Sequence, residues 1–476
     1  MADQIHSTPS AHVPGTERLF AEPNSGEVDL QFISKGDTLI VLVPQPSLND
    51  PNDPLRWSNK KKWVTFINGT AYAFMGSVTG PIMAAMMIRL TQAFHEPLQR
   101  LTYANGATLI CQGVGNIFWM PLAVKYGRRP VYLLSNILMC VACIWLGLVV
   151  NASYIPFLLG RAFLGLFEAP IESILPSTIT DIFFLHERGN VVSIYGLAVL
   201  GGNELGPLFS ALIVQYLGMD WAFYIVAMFI GLNCITMFFF MPETKYQGIR
   251  PQARYATDAD TTKKDQTEMV ENVQKDGTPR PELSALPKFE GALVPKRPLV
   301  HELQFWGHSD KNVSLRKTFL RPFVLLTYPT VLWACLIYGM SLGWNVILGA
   351  TLAQLFEPQY GFDAQAQGLV FLSPFIGSLL ATWLCGAMSD RIANYFSIRN
   401  DGIREPEMRL PTLAIGTFLI FSGTLVLTLT YEAKTHWIGP VIGLGIQAAG
   451  AQFGVSLAMS YALDCHQQAS SFFLLC

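Results

Sequence analysis

Three ionisable residues fall within one apolar run of this 476-residue chain: Arg161, Glu168 and Glu172, in the stretch 154–178. A charged side chain at the centre of a membrane helix costs about 2.5–3.5 kcal/mol on insertion scales, so each needs a partner or a task. At about 100° per residue, Glu168 falls about 20° to one side of Arg161 and Glu172 about 20° to the other, which points all three inward. Arg161 and Glu168 lie roughly 10 Å apart along the axis, too far to pair without a group from another helix. Such a set suits proton coupling or polarisation of a substrate, with a carboxylate whose protonation changes as access to it changes. The structural alternative is an ion network that pins this helix to a neighbour.

A fourth carboxylate, Glu204, lies in Gly201-Gly202-Asn203-Glu204-Leu205-Gly206-Pro207. Gly202 and Gly206, four apart, allow close helix approach, and Pro207 frees a carbonyl and bends the helix, so these three read as a packing and hinge surface. Glu204 is open to two roles there, a second protonatable site or cation ligand on one hand and a structural group on the other. Asn68, Gln112, Asn116, Asn203, Asn345, Gln447 and Gln452, with Tyr72, Tyr338 and Trp344, offer polar and aromatic lining from several runs. Amides in lipid must find partners and so point inward, to substrate or to neighbouring helices. Without an inward Arg/Lys cluster to hold phosphate, this lining suits organic, amphipathic or weakly cationic cargo; sugars stay open.

Enzymatic chemistry finds little footing. The apolar runs hold no His except His436 at an edge, and there is no H-E-x-x-H. Cys140 and Cys143 form a C-x-x-C in mid-run with no second pair or His, which reads as packing rather than a zinc or redox site. No metal ligand set and no cofactor are expected.

The elements that would position these residues follow from composition. Hydrophobic residues make up 51% and charged residues 14%, where soluble domains carry about 25% charged. A span needs about 20 mostly apolar residues. Ten runs qualify: 63–87, 102–123, 131–150, 154–178, 191–217, 220–241, 323–349, 366–388, 411–431 and 436–462. The fold expected is therefore an all-α polytopic membrane protein of two helical bundles. Residues 1–62 read as a disordered tail, 63–241 as a six-helix bundle, 242–321 as a linker, 322–465 as a four-span bundle and 466–476 as an aberrant tail.

Basic residues fall on one side: Lys60, Lys61, Lys62, Lys125, Arg128, Arg129, Arg188, Arg391, Arg399, Arg404 and Arg409; Arg89, Arg100 and Lys434 fall on the other. The positive-inside rule then puts both termini and the linker in the cytoplasm of a multi-pass cell-membrane protein. The vacuole is the competing location. Trp57, Trp63, Trp119, Trp221 and Trp437 sit near run ends, as an interfacial belt requires. Asn151-Ala-Ser153 forms a sequon in an outer loop of few residues.

The halves echo each other. The second run enters Lys125-Tyr-Gly127-Arg128-Arg129-Pro130, and the eighth enters Gly386-Ala-Met-Ser-Asp390-Arg391. The fourth ends Ser177-Thr-Ile-Thr-Asp181 and the tenth Ser460-Tyr-Ala-Leu-Asp464. An apolar helix ending in Asp thus recurs six spans later, as parallel transporter repeats predict. Gly127, Arg128, Arg129, Asp181, Asp390 and Arg391 form the expected gating loops, with Arg128 and Arg129 pairing to Asp181 or to a helix C-terminus. Topology determination by positive charge is their second role.

With these motifs in register, the sequence resembles the major facilitator superfamily, most closely its fungal twelve-span drug:proton antiporter branch. Gly127-Arg128-Arg129-Pro130 resembles the loop motif, Gly160-Arg161-Ala162-Phe163-Leu164-Gly165 the fourth-span motif, and Gly201 to Pro207 the fifth-span antiporter motif. Asp53-Pro54-Leu55-Arg56-Trp57-Ser58 and Glu405-Pro406-Glu407-Met408-Arg409-Leu410-Pro411 resemble branch signatures. The family's loop acid three places before Gly127 is Val124 here, and the runs stop after ten, so a C-terminally truncated chain is expected. The resemblance implies a monomeric, proton-coupled exporter of small organic molecules, xenobiotics or a fungal secondary metabolite, with protons, cargo and lipid as partners and no nucleic acid. Uptake of polyamines or other organic cations is the first alternative; a non-transporting receptor or inactive truncation is the second.

Overall fold

The computed structural model describes residues 17–18, 32–35, 38–47, 50–246, 248, 250, 298, 304–305, 314–400 and 403–465. The terminal segment 466–476 and most of the linker 242–321 lie outside the described residues. Helix α1, Asn59–Thr79, starts where the Ser58 hydroxyl accepts the Lys61 N–H, the ordinary N-cap arrangement. It stops at Gly80-Pro81, because proline cannot donate the next helical hydrogen bond. A 3-10 stretch, Pro81–Met86, leads into α2, Met87–Phe94, bent 60° from α1.

Next come α3 (Leu98–Tyr126), α4 (Arg128–Val149), α5 (Tyr154–Glu168), α6 (Pro170–Ile182), α7 (Leu185–Tyr216) and α8 (Met219–Phe240). Gly127, at φ 97°, is the only residue between α3 and α4; that backbone conformation strains any residue with a Cβ. The second half holds α9 (Leu315–Leu325), α10 (Pro329–Tyr360), α11 (Ala364–Val370), α12 (Leu372–Arg399), α13 (Pro411–Glu432) and α14 (Ile438–Cys465).

The ten expected runs fall mostly on helix, but the seventh, 323–349, straddles the turn 326–328 between α9 and α10. Among the described residues, eight helices are long and apolar enough to cross a membrane, or nine if the bent α1–α2 pair is one span; within α10 the apolar portion is Pro329–Trp344. Trp383, Phe418, Leu148 and Phe239 are exposed on the outside of the bundles, an arrangement that water would penalise and acyl chains would not.

Two small strand pairs depart from the all-α expectation. β1 (Glu17–Arg18) pairs with β4 (Ile403–Arg404), and β2 (Phe32–Lys35) with β3 (Thr38–Val41), both antiparallel. Within the tail expected to be disordered, Leu42, Val43, Asp53 and Leu55 are buried. The difference has a physical cause: apolar Leu42 and Leu55 pack on Phe184 and bring this part of the tail onto the body.

Helices α1 to α8 share one continuous core running from Phe66 through Tyr132 and Ile174 to Ile230, whereas the second half packs through smaller separate clusters. The halves meet along α7. A Cβ on Gly189 would lie 2.7 Å from Asp390, one on Gly201 3.1 Å from Phe375, and one on Gly368 2.5 Å from Ala211. Helix α7 therefore runs antiparallel against α12 and α11 over most of its length.

Candidate functional site

The expected partner from another helix, needed between Arg161 and Glu168, is Thr79. Arg161 donates 2.8 Å hydrogen bonds to the carbonyls of Thr79 and Gly80 and to the Asn105 side chain of α3. The Thr79 hydroxyl donates to the Glu168 carboxylate. The guanidinium thus sits at the C-terminus of α1, where exposed carbonyls carry partial negative charge. Arg161 and Glu168 are 0% and 2% exposed, so this pair is sealed in the present arrangement.

Glu172 lies one turn further along the same span, Tyr154–Ile182, in which Ala169 keeps helical backbone angles between α5 and Pro170 at the start of α6. It meets different partners from Glu168. Glu172 is partly accessible. It accepts from Gln112 of α3 at 3.5 Å, a long bond, and its carbonyl accepts from the Tyr195 hydroxyl of α7 at 3.4 Å. Tyr338 of α10 is close enough to interact with both Glu172 and Tyr195. This carboxylate is therefore framed by helices from both halves. Nearby, Ser173 donates to Asn116 at 2.7 Å.

Glu204 lies on the seam between halves. The Ser378 hydroxyl of α12 donates to its Oε1 at 2.8 Å, and Oε2 is buried without a hydrogen-bond partner among the described residues. Gln452 of α14 donates to the Ser193 carbonyl of α7 at 3.2 Å and to Thr382 of α12 at 2.8 Å. Gly202 and Gly206 meet α1: Cβ atoms there would approach the carbonyls of Phe74 (2.8 Å) and Val78 (3.0 Å). With Pro207 they form a close packing surface inside the first half.

At the basic end, Arg128 pairs with Asp181 at 2.5 Å, and Arg129 binds the carbonyls of Phe238, at 2.7 Å, and Met241 at the C-terminus of α8. Glu243 accepts the backbone N–H groups of Arg128 and Arg129 at 3.0 and 3.1 Å, and Lys245 donates to the Val124 carbonyl. A carboxylate from beyond α8 therefore serves the loop whose own acid is replaced by Val124. Six spans later Arg409 lies 3.1 Å from Asp464 and 3.4 Å from Asp390. Each Asp that ends a span thus meets an Arg at the start of the span before it in the bundle, once per half. Arg391 is exposed and stands outside this contact.

Several expected lining residues lie elsewhere. Asn68 turns back to its own helix at the Val64 carbonyl, on the side facing α8, since a self-bond satisfies its amide without a distant partner. Tyr72 is fully buried between α1 and α4, bonded to Ser135 at 2.6 Å. Asn203 and Trp344 are half-buried on α7 and α10, and the side chain of Asn345 is outside the described ones. Gln447 is buried in α14, and neither amide atom has a hydrogen-bond partner among the described residues. Sequence reasoning missed Thr79, Asn105, Tyr195, Ser378 and Glu243. Hydroxyls and amides of this kind are common in spans, and only their placement opposite a charge distinguishes them.

The sequence model of the Major Facilitator Superfamily matches residues 65–474. The MFS transporter cpaT of Aspergillus oryzae is 28% identical over 97% of this chain and 83% of its own length. The MFS-type transporter penM of Penicillium rubens is 27% identical over 96% of this chain and 83% of its own. Among solved structures, the proton:xylose symporter XylE, bound to 6-bromo-6-deoxy-D-glucose, aligns with TM-score 0.58 at 12% identity over 88% of this chain and 86% of that one. These matches give no support to the expected truncation, since the family match runs on to residue 474.

Proposed function

Because this chain belongs to the Major Facilitator Superfamily, and is thus a multi-pass membrane transporter rather than an enzyme, we propose that it is a proton-coupled exporter of small organic molecules. The observation that carries the reading is the division of labour around the fourth span. Arg161, Thr79 and Glu168 are sealed together, while Glu172 keeps access and is framed by Gln112, Tyr195 and Tyr338. A carboxylate held in a closed pocket exchanges its proton only when the helices part, which is what coupling to a conformational cycle requires. A partly accessible carboxylate beside the partly accessible Tyr338 suits an amphipathic cargo carrying a basic nitrogen. Glu204 at the inter-half seam is a second candidate for proton coupling. The basic end is read as cytoplasmic, and the working unit as a monomer.

The second reading, proton-coupled uptake of organic cations, uses the same Glu172 and differs only in direction. Purified protein in vesicles with an imposed pH gradient separates the two. Export predicts that organic-cation movement opposes proton flow and stops when a protonophore collapses the gradient. Glu168→Gln, Glu172→Gln and Arg161→Lys should each reduce gradient-driven movement by at least about tenfold, a loss of about 1.4 kcal/mol. Unchanged transport in all three variants would sink the site assignment.

A further inference from the structure

The segment before the first span contains a carboxylate that the proposed transport site does not use. Asp53 is 0% exposed, and an ionised group so buried is stable only when its oxygens are matched. Its Oδ2 accepts the Ser47 N–H at 2.9 Å and its Oδ1 the Leu55 N–H at 3.1 Å, which holds both backbone groups on one carboxylate. Opposite lies Arg250, from beyond the end of α8, with Nη2 2.8 Å from Oδ1 and Nε 3.4 Å from Oδ2. This is a bidentate guanidinium–carboxylate pair, the strongest geometry for such a contact.

Around this pair the same two segments join again. The Arg250 guanidinium lies 5.1 Å above the ring of Tyr246, and the Tyr246 hydroxyl donates to Asp50 at 3.1 Å. Burial pushes that hydroxyl up from its usual range, so it stays a donor at neutral pH. A third segment enters at the α6–α7 turn, where the Leu185 N–H donates to the Val43 carbonyl at 2.8 Å. Phe184 there packs with Leu42 and Leu55, and the Lys62 ammonium lies 4.7 Å over its ring.

We infer that residues 42–47 and 50–57 form a strap, organised by Asp53, that fastens Glu243, Tyr246 and Arg250 at the root of the inter-half linker to the α6–α7 turn, so that all three move with the first half as one body. A tail serving only as an exposed leader would gain nothing from a buried carboxylate with four contacts, because burying a charge is unfavourable unless its oxygens are matched. Asp53 is a positioning residue with no contact to the proposed cargo site.

Hydrogen–deuterium exchange of the full chain in lipid nanodiscs, read by mass spectrometry, tests this. Arg250→Ala should speed exchange across 243–250 by about tenfold, the equivalent of one charge-assisted hydrogen bond, while α4 and α8 stay as protected as before. Asp53→Ala should speed exchange across both 42–57 and 243–250. The exchanged pair Asp53→Arg/Arg250→Asp should not restore protection, because an arginine at 53 cannot accept the Ser47 and Leu55 N–H groups. Unaltered exchange over 243–250 in Arg250→Ala overturns the strap, and so does full restoration by the swapped pair. Should Asp53→Ala fail to give a monodisperse protein, Arg250→Ala, at a partly exposed position, decides alone.

Discussion

Thr79 carries more consequence than its hydroxyl suggests. Its backbone carbonyl accepts from Arg161 and its side chain donates to Glu168, so one residue at the end of α1 joins two opposite charges of the fourth span. Removing the hydroxyl while keeping the shape isolates that link. Thr79→Val should leave the protein folded, because Arg161 keeps Gly80 and Asn105 as acceptors. Glu168 would then lose a donor, at about 1.5–3 kcal/mol for a bond to a charged group. The expected outcome is gradient-driven transport reduced by about tenfold at normal expression, measured in vesicles. Wild-type rates in Thr79→Val would remove the bridge from the coupling scheme. Arg161→Ala is the harsher change: it leaves the Thr79 and Gly80 carbonyls and the Asn105 side-chain oxygen without their donor, at about 1–3 kcal/mol for each buried unmatched acceptor. A lowered melting temperature in detergent checks it.

At the scale of helices, glycine positions divide into crowded and open ones, and they should respond in opposite ways. A Cβ at Gly165 would lie 2.1 Å from the Thr108 carbonyl, and one at Gly202 2.6 Å from the Ser77 Cβ, whereas Gly106 and Gly113 have nothing within 4 Å. Gly165→Ala and Gly202→Ala should force α5 off α3 and α7 off α1, at about 1–3 kcal/mol each. Gly106→Ala should be neutral or stabilise by up to about 1 kcal/mol, since alanine is the better helix former. Thermal unfolding of the three variants side by side tests the contrast, and equal destabilisation by all three would contradict the packing described. The fourth span belongs to this scale as well: Glu168 meets α1, while Glu172, one turn further on, meets α3 and α7.

Across the molecule, Glu204–Ser378 and Gln452–Ser193 are buried polar links between the halves. Ser378→Ala leaves that carboxyl with no hydrogen bond across the seam, a penalty of about 1–3 kcal/mol on the packed arrangement. Conformations in which α7 and α12 separate should gain population. Spin labels at exposed Tyr216 and Leu369, read by pulsed electron paramagnetic resonance, should give a broader and longer distance distribution in Ser378→Ala. An identical distribution would mean that Glu204 does not govern the seam. The paired networks Arg128–Asp181 and Arg409–Asp464 sit at the same end of the two bundles and relate them as repeats.

Periodicity and hydropathy alone established the helical membrane class, because a run of about 20 apolar residues has few other soluble or membrane solutions. The echo of Asp181 in Asp464 was likewise legible, and so was the need for a foreign partner between Arg161 and Glu168, since helix geometry fixes the spacing within one chain segment. Which partner it is depended on the tertiary structure. Thr79, Asn105 and Ser378 are ordinary polar residues until folding sets them against a charge. The amides divided for the same reason: Asn68 satisfies itself within its own turn while Gln112 reaches Glu172. Sequence specifies which groups must be satisfied, but the choice among possible partners is made by packing over long range, and no local pattern contains it.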